Sequence, residues 1–114
     1  MQAEDLEGLP LTAVAFVQDY LQLQFDGPVL TLYAWPEAFR DEGSYAYGEP
    51  EYRNVLCELI GNDVEAATLV EDEALEIRFV NGSSLRVSLR EEERTGPEAG
   101  SLVSGEPGDE MLVF

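Results

Sequence analysis

Apolar and polar residues alternate strictly along two stretches of this chain. The first stretch reads Leu21-Gln-Leu-Gln-Phe25 and the second reads Leu75-Glu-Ile-Arg-Phe79, so an apolar side chain recurs at every second position. A period of two predicts β-strands with one buried and one solvent-facing side. We therefore expect the two apolar sets to face the core.

Each alternating stretch is followed by a turn signal and a second short alternation. Asp26-Gly27 precedes Leu30-Thr-Leu32, and Asn81-Gly82 precedes Leu85-Arg-Val87. Asx-Gly pairs favour tight hairpins because both residues tolerate positive φ. The pattern predicts that the chain turns back after each alternating stretch, so that the stretch pairs with the short alternation that follows it.

A third strand precedes each hairpin, at Leu11 to Val17 and at Val64 to Val70. Both segments carry apolar residues on both faces, which is typical of strands that are central in a sheet or covered on both sides. Each copy is thus predicted to be a three-stranded antiparallel meander, and the two copies form an internal repeat.

The predicted fold is mainly β, a single domain over residues 1–114. Repeat one spans about 8–36, a connector about 37–60, repeat two about 61–90, and a turn-rich tail with a final apolar strand 91–114. Pro50 and Gly61 delimit one helix of about three turns, at about 50–60, which buries Val55, Leu56 and Leu59. We expect a bent sheet or a partly open barrel, and closure is attractive because it removes exposed edges.

Charge narrows the classes of partner. The chain has 24 acidic residues against six arginines, no lysine and no histidine, for a net charge of -18. Such a field disfavours nucleic acid and anionic membranes and attracts a basic protein. The acidity could equally reflect a saline habitat. The acidic N-terminus, the absence of a long apolar run and the single Cys57 favour the cytoplasm.

Candidate catalytic chemistry is sparse. Without histidine or lysine, the commonest general base and the usual activated nucleophiles are missing. Cys57 is interpreted as a small apolar helix residue, and the runs Glu71–Glu73, Glu91–Glu93 and Asp109-Glu110 match no calcium loop. No glycine-rich phosphate loop is present. We expect a non-enzymatic protein with no metal and no cofactor.

Aromatic residues are the best functional candidates, since six of the eleven lie between Tyr33 and Tyr52. Aromatic side chains dominate binding hot spots. The alternative is a secondary core beneath the connector, which we favour for Phe39 and Tyr52. Tyr45 and Tyr47 are expected to share one strand face. The predicted partner-binding residues combine three aromatic and three acidic side chains: Trp35, Tyr45, Tyr47, Asp41, Glu42 and Glu49.

The second copy also resembles a known pattern. The run from Leu59-Ile-Gly61 through Asn81-Gly-Ser-Ser-Leu-Arg-Val-Ser-Leu89, followed by Gly96-Pro-Glu-Ala99, resembles a family of small bacterial β-rich proteins. That family has no assigned activity or site, so the resemblance implies a β-rich fold and nothing about chemistry.

Three functions remain open from the sequence. The first is an acidic binding protein that contacts a basic partner, by analogy with immunity or inhibitor proteins. The second is a structural or self-associating module, a homodimer formed through exposed edge strands that include Leu112 to Phe114. The third is a small-ligand or carboxylate-metal site in a cleft between the repeats.

Overall fold

The computed structural model describes residues 2–90, 98–104 and 111–114. These residues form a 3₁₀-helix (Ala3–Leu6), one short α-helix and ten strands in two five-stranded antiparallel sheets. The elements are β1 (Leu11–Val17), β2 (Tyr20–Phe25), β3 (Val29–Leu32), β4 (Glu37–Arg40), β5 (Gly43–Tyr45), α1 (Tyr52–Cys57), β6 (Val64–Val70), β7 (Ala74–Phe79), β8 (Ser84–Ser88), β9 (Gly100–Val103) and β10 (Met111–Val113).

The mainly β class and the two meanders are confirmed. Strands β1-β2-β3 pair in sequence in the first sheet, and β8-β7-β6 do so in the second. The alternating apolar side chains face inward as predicted: Leu21, Leu23, Phe25, Leu75, Ile77 and Phe79 are all buried in one hydrophobic core.

The internal two-fold relation is visible where the two copies begin. The amide of Leu11 donates to the carbonyl of Asn62 at 3.1 Å. The amide of Val64 donates to the carbonyl of Leu9 at 2.9 Å. The amides of Gly8 and Gly61 donate to Val64 and Leu11, both at 2.8 Å. Each bond has a counterpart with the copies exchanged, so the first residues of the repeats pair across a pseudo-two-fold axis.

The repeat extends further than the meanders. After β3, the chain crosses to the second sheet, where the hairpin β4–β5 pairs with β8. After β8, the described chain returns to the first sheet, where the hairpin β9–β10 pairs with β3. Each copy is therefore a meander plus a hairpin, and the hairpins are exchanged between the sheets.

A closed barrel is not formed by the described strands. Among the strands of the described residues, the outermost are β1 and β10 in the first sheet and β5 and β6 in the second. The exchanged hairpins explain why the two meanders do not join into one sheet. The outer edge of β3 is paired with β9 and the outer edge of β8 is paired with β4, so β3 and β8 cannot pair with each other.

The prediction that the opening strands are central or covered on both sides is wrong, because β1 and β6 are edge strands with half-exposed and exposed residues along them. A bulge interrupts each strand at the same place, between Leu11 and Ala13 and between Val64 and Ala66. After the bulge, Val14 and Phe16 pack against the core, and Ala13 and Ala15 alternate with them on the outward side. The apolar residues at the outward positions are half-exposed alanines and, at the strand ends, the exposed Val17 and Val70.

The helix is confirmed but is shorter than three turns. It begins after Glu51 and ends at Cys57, because the amides of Leu59 and Ile60 donate three residues back, to Leu56 and Cys57, and tighten the chain. Val55, Leu56 and Leu59 are buried as expected, whereas Cys57 is exposed and not the packed residue we expected.

The helices among the described residues are too short and too polar to cross a membrane. The acidic run Glu91–Glu93 and the pair Asp109-Glu110 lie outside the described residues. The apolar segment Met111–Val113 is the outer strand of the first sheet.

Candidate functional site

Three aromatic rings, one at the end of repeat one and two in the connector, lie in contact. Trp35 and Tyr47 are stacked, with ring centroids 4.2 Å apart and planes 26° from parallel. Tyr52 meets Tyr47 edge-on, at 6.1 Å and 87°. Tyr52 is buried and Trp35 half-buried, but 59% of Tyr47 is exposed. The cluster thus joins a core residue, Tyr52, to an exposed residue, Tyr47, that a partner could contact.

Tyr52 anchors the cluster to the fold. Its hydroxyl donates to the carbonyl of Pro36 at 2.5 Å, which ties α1 to the segment that enters β4. Burial, followed by the nearby Tyr47, raises the pKa of Tyr52 well above its usual value. Tyr52 is therefore buried as expected, but in the same hydrophobic core as the strands and not in a secondary core.

A tight turn holds Tyr47 on Trp35. The amide of Ala46 donates to a carboxylate oxygen of Glu49 at 3.0 Å, and the amide of Glu49 donates back to the carbonyl of Ala46. Between them, Gly48 has a φ of 98°, a conformation open mainly to glycine. Glu49 is thus a turn-closing residue as well as an exposed negative charge.

The stack forms one wall of a cleft of about 530 Å³. Residues at the end of β1 and at the start of α1 also line it. Its lining residues are Phe16, Val17, Gln18, Trp35, Tyr47, Gly48, Glu49, Pro50, Tyr52 and Arg53. We call this the aromatic cleft. It lies between the first meander and the connector, not between the two repeats.

Phe16 and Arg53 of the aromatic cleft were not among the predicted site residues. The guanidinium of Arg53 lies 5.7 Å from the ring centre of Phe16, in cation–π contact. Phe16 lies in a strand that is apolar on both faces. The sequence does not show the bulge in that strand, so it does not show which face the Phe16 side chain is on. Arg53 occupies the first turn of α1, and no sequence pattern links it to a residue 37 positions earlier.

The structure separates the six predicted site residues into two groups. Trp35, Tyr47 and Glu49 line the aromatic cleft, but Tyr45 does not. The guanidinium of Arg40 lies over the Tyr45 ring at 5.3 Å and forms an ion pair with Glu58. Asp41 and Glu42 are exposed in the turn between β4 and β5. Tyr45 and Tyr47 do not share a strand face, because β5 ends at Tyr45.

The second half of the fold has a counterpart of this cleft. In the pairing register, Tyr45 opposes Ala38 as Leu112 opposes Leu102, so Tyr47 corresponds to Phe114. Phe114 lines a cleft of about 410 Å³ with Leu69, Leu89, Leu112 and Val113, rimmed by Glu71 and Asp72. The fold itself therefore creates the cleft. The Trp35–Tyr47 stack and Arg53 are specific to the first copy.

Metal-binding groups are not assembled in the part of the chain that the structure describes. Residues 2–90, 98–104 and 111–114 contain no cluster of three or more Cys, Asp or Glu side chains that could hold an ion. No protein-family model, curated protein or solved structure matches the chain. The candidate site accordingly rests on the geometry of the aromatic cleft alone.

Replacing Tyr52 with phenylalanine tests the anchor of the cleft. Tyr52→Phe leaves the carbonyl of Pro36 without its donor, and we expect a loss of about 1–3 kcal/mol of unfolding free energy at neutral pH. Because the pKa of Tyr52 is raised in the folded protein, its hydroxyl ionises just above pH 10 only in the unfolded chain. As the pH rises above 10, the wild type should lose stability through this residue alone, with a slope that approaches about 1.4 kcal/mol per pH unit.

Urea titrations of both proteins between neutral pH and pH 11 measure this difference. The stability gap between wild type and Tyr52→Phe should narrow as the pH rises through about 10. A constant gap at all pH values would contradict the assignment of Tyr52 as a buried neutral donor.

Proposed function

We propose that this protein is a non-enzymatic acidic binding protein that contacts a basic protein partner through the aromatic cleft. The observation that carries the proposal is the stack of Trp35 with the exposed Tyr47 at the mouth of the cleft. An aromatic pair that is already stacked loses little side-chain freedom when a partner covers it. The role is that of an inhibitor or immunity protein.

Charge supports a basic partner. The net charge of -18 speeds the encounter with a cation-rich surface, and Glu49 places a carboxylate in the wall of the cleft. Arginine is the cation that suits both the aromatic rings and the carboxylate of the cleft, because its planar guanidinium stacks on aromatic rings and pairs with carboxylates. The pair of Arg53 with Phe16 is an intramolecular case of such stacking.

A non-catalytic role is supported by the composition. The chain has no histidine and no lysine to act as a general base or as an activated nucleophile.

The cytoplasm is our proposal for its compartment, because a lone cysteine fits a reducing environment.

Fluorescence titration tests this proposal directly, because Trp35 is the single tryptophan of the chain and lies in the proposed contact. We expect arginine-rich peptides from a panel of basic sequences to change Trp35 emission, with an affinity that falls as NaCl is added. Tyr47→Ala should raise the dissociation constant about tenfold or more, as for a central aromatic contact.

Met111→Ala is the matched control, since Met111 on β10 is exposed to the same 59% as Tyr47 and is absent from the aromatic cleft. It should bind the peptides as the wild type does. The proposal fails if no basic peptide binds at low salt, or if Met111→Ala weakens binding as much as Tyr47→Ala.

A further inference from the structure

The first sheet is free of charge. None of the residues in β1, β2, β3, β9 and β10 is Asp, Glu, Lys or Arg, although the whole chain carries 24 acidic residues. The second sheet carries charges in β4, β6, β7 and β8. The absence of charge is therefore a property of one sheet and not of the chain.

The outer side of the first sheet consists of rows of small polar and apolar residues. The register aligns Gln22, Thr31 and Ser101 in one row and Gln24, Val29 and Val103 in the next. We call these six residues the neutral face. They are half-buried or exposed, and both rows continue onto β10, where Met111 is 59% exposed.

The internal repeat shows that the fold accepts charges at these positions. By the two-fold relation, Gln22 and Thr31 correspond to Glu76 and Arg86 of the second sheet. Glu76 and Arg86 form an ion pair at 3.1 Å, whereas Gln22 donates to the Thr31 hydroxyl at 3.3 Å. The second row follows the same rule, since Gln24 corresponds to Arg78, which pairs with Glu65.

We propose that the neutral face docks against the neutral face of a second copy of this chain. A two-fold contact brings each patch against itself, so it requires groups that complement their own kind. Glutamine amides and threonine or serine hydroxyls both donate and accept hydrogen bonds, and so meet that requirement. A surface of one charge sign does not.

The net charge selects the second copy over a basic partner. Two copies of charge -18 repel each other, and juxtaposed carboxylates would add several kcal/mol. The neutral face is a surface on which two copies can meet without such pairs. A basic protein gains no ion pair there, and the depletion of charge with exposed Met and Val matches the centre of a protein interface.

The proposal makes a prediction about salt that opposes the one for the aromatic cleft. Screening weakens the repulsion between two acidic copies, so self-association should strengthen as NaCl is added. Binding of a basic partner at the aromatic cleft should weaken under the same change. The two surfaces can therefore be distinguished in one protein.

Sedimentation velocity over a wide range of protein concentration tests the proposal. The wild type should show a concentration-dependent monomer–dimer equilibrium that shifts towards dimer in high salt. Thr31→Glu places a carboxylate on the central strand of the neutral face and should raise the dimer dissociation constant at least about tenfold. The variant should fold, because the counterpart position carries Arg86.

Ser84→Glu is the matched control. It adds the same charge to β8, the central strand of the second sheet, directly opposite Arg78. Ser84→Glu should dimerise as the wild type does, and circular dichroism should show both variants folded. A wild type that stays monomeric at all concentrations and salts overturns the proposal. So does a folded Thr31→Glu protein that dimerises normally, since the contact then lies elsewhere, as at the β10 edge.

Discussion

Phe79→Ala is expected to destabilise the protein by about 3–5 kcal/mol, the range for truncating a fully buried aromatic ring. Phe79 is 0% exposed, closes the inward row of β7 and lies opposite Val64 of β6. A domain of this size is stable by about 5–15 kcal/mol, so the variant should retain only part of its stability. Urea unfolding, followed by Trp35 fluorescence and by far-ultraviolet circular dichroism, measures the loss.

The repeat supplies an internal check on this result. Phe25 is the counterpart of Phe79 and is 4% exposed, so Phe25→Ala should cause a loss of similar size. Val80→Ala changes the neighbouring residue, which is 59% exposed, and should stay within about 0.5 kcal/mol of the wild type. A loss below about 1 kcal/mol for Phe79→Ala would mean that its ring does not fill the core.

The exchanged hairpins predict how that unfolding should look. Because β4–β5 completes the second sheet and β9–β10 completes the first, neither copy can form its five-stranded sheet from its own residues. The probe at Trp35 lies in the first copy and the change at Phe79 lies in the second. Both optical signals should nevertheless fall in a single transition.

The sequence predicted the strands that show clean alternation. In β2, β7 and β8 every second residue is apolar, and those residues are buried in the structure. It also predicted the bounds of β1 and β6, but not which side chains face inward, because a bulge shifts the register by one residue and removes the period of two. In such strands an apolar residue such as Phe16 cannot be assigned to a face from spacing alone.

The pairing of the short hairpins was beyond sequence reasoning for a different reason. Strands β4, β5, β9 and β10 have three or four residues each, which is too few to show a period. Their partners β8 and β3 are distant in sequence, so no turn fixes the register between them. Contacts of that kind depend on the tertiary arrangement of the whole core.

The candidate site was predicted in part. The concentration of aromatic residues between Tyr33 and Tyr52 identified Trp35 and Tyr47, and turn chemistry is consistent with the place of Glu49. Tyr45 has the same local signal as Tyr47 but packs under Arg40. The difference arises because β5 ends at Tyr45, and the Gly48 turn then directs the chain onto Trp35.

The neutral face became visible only after the two copies were aligned by register. Along the chain, Gln22 and Gln24 are merely the polar half of an alternating strand. Set beside Glu76 and Arg78, they show that one copy lacks charges where the other has them. Repeats of this kind provide their own control, because the same backbone position occurs with two side chains.

Gly100→Ala is expected to destabilise the protein by about 3 kcal/mol or more, at the upper end for overpacked positions. Gly100 opens β9 opposite Leu32, where a Cβ would overlap the backbone carbonyl oxygen of Thr31. The same Cβ would lie 3.1 Å from both the Leu32 side chain and the Phe114 ring. A backbone atom cannot rotate aside, so β9 must separate from β3, and the junction between the copies weakens.

Gly43→Ala is the matched control for this change, because it makes the same substitution at another strand position. There the new Cβ would approach the Tyr45 side chain at 3.0 Å, and a side chain can move. Gly43→Ala should stay within about 1 kcal/mol of the wild type, since the loss of chain entropy in the unfolded state offsets a small displacement. Equal stabilities for the two variants in urea would show that β9 does not pack against β3 in this register. The exchange of hairpins between the sheets would then lose its support.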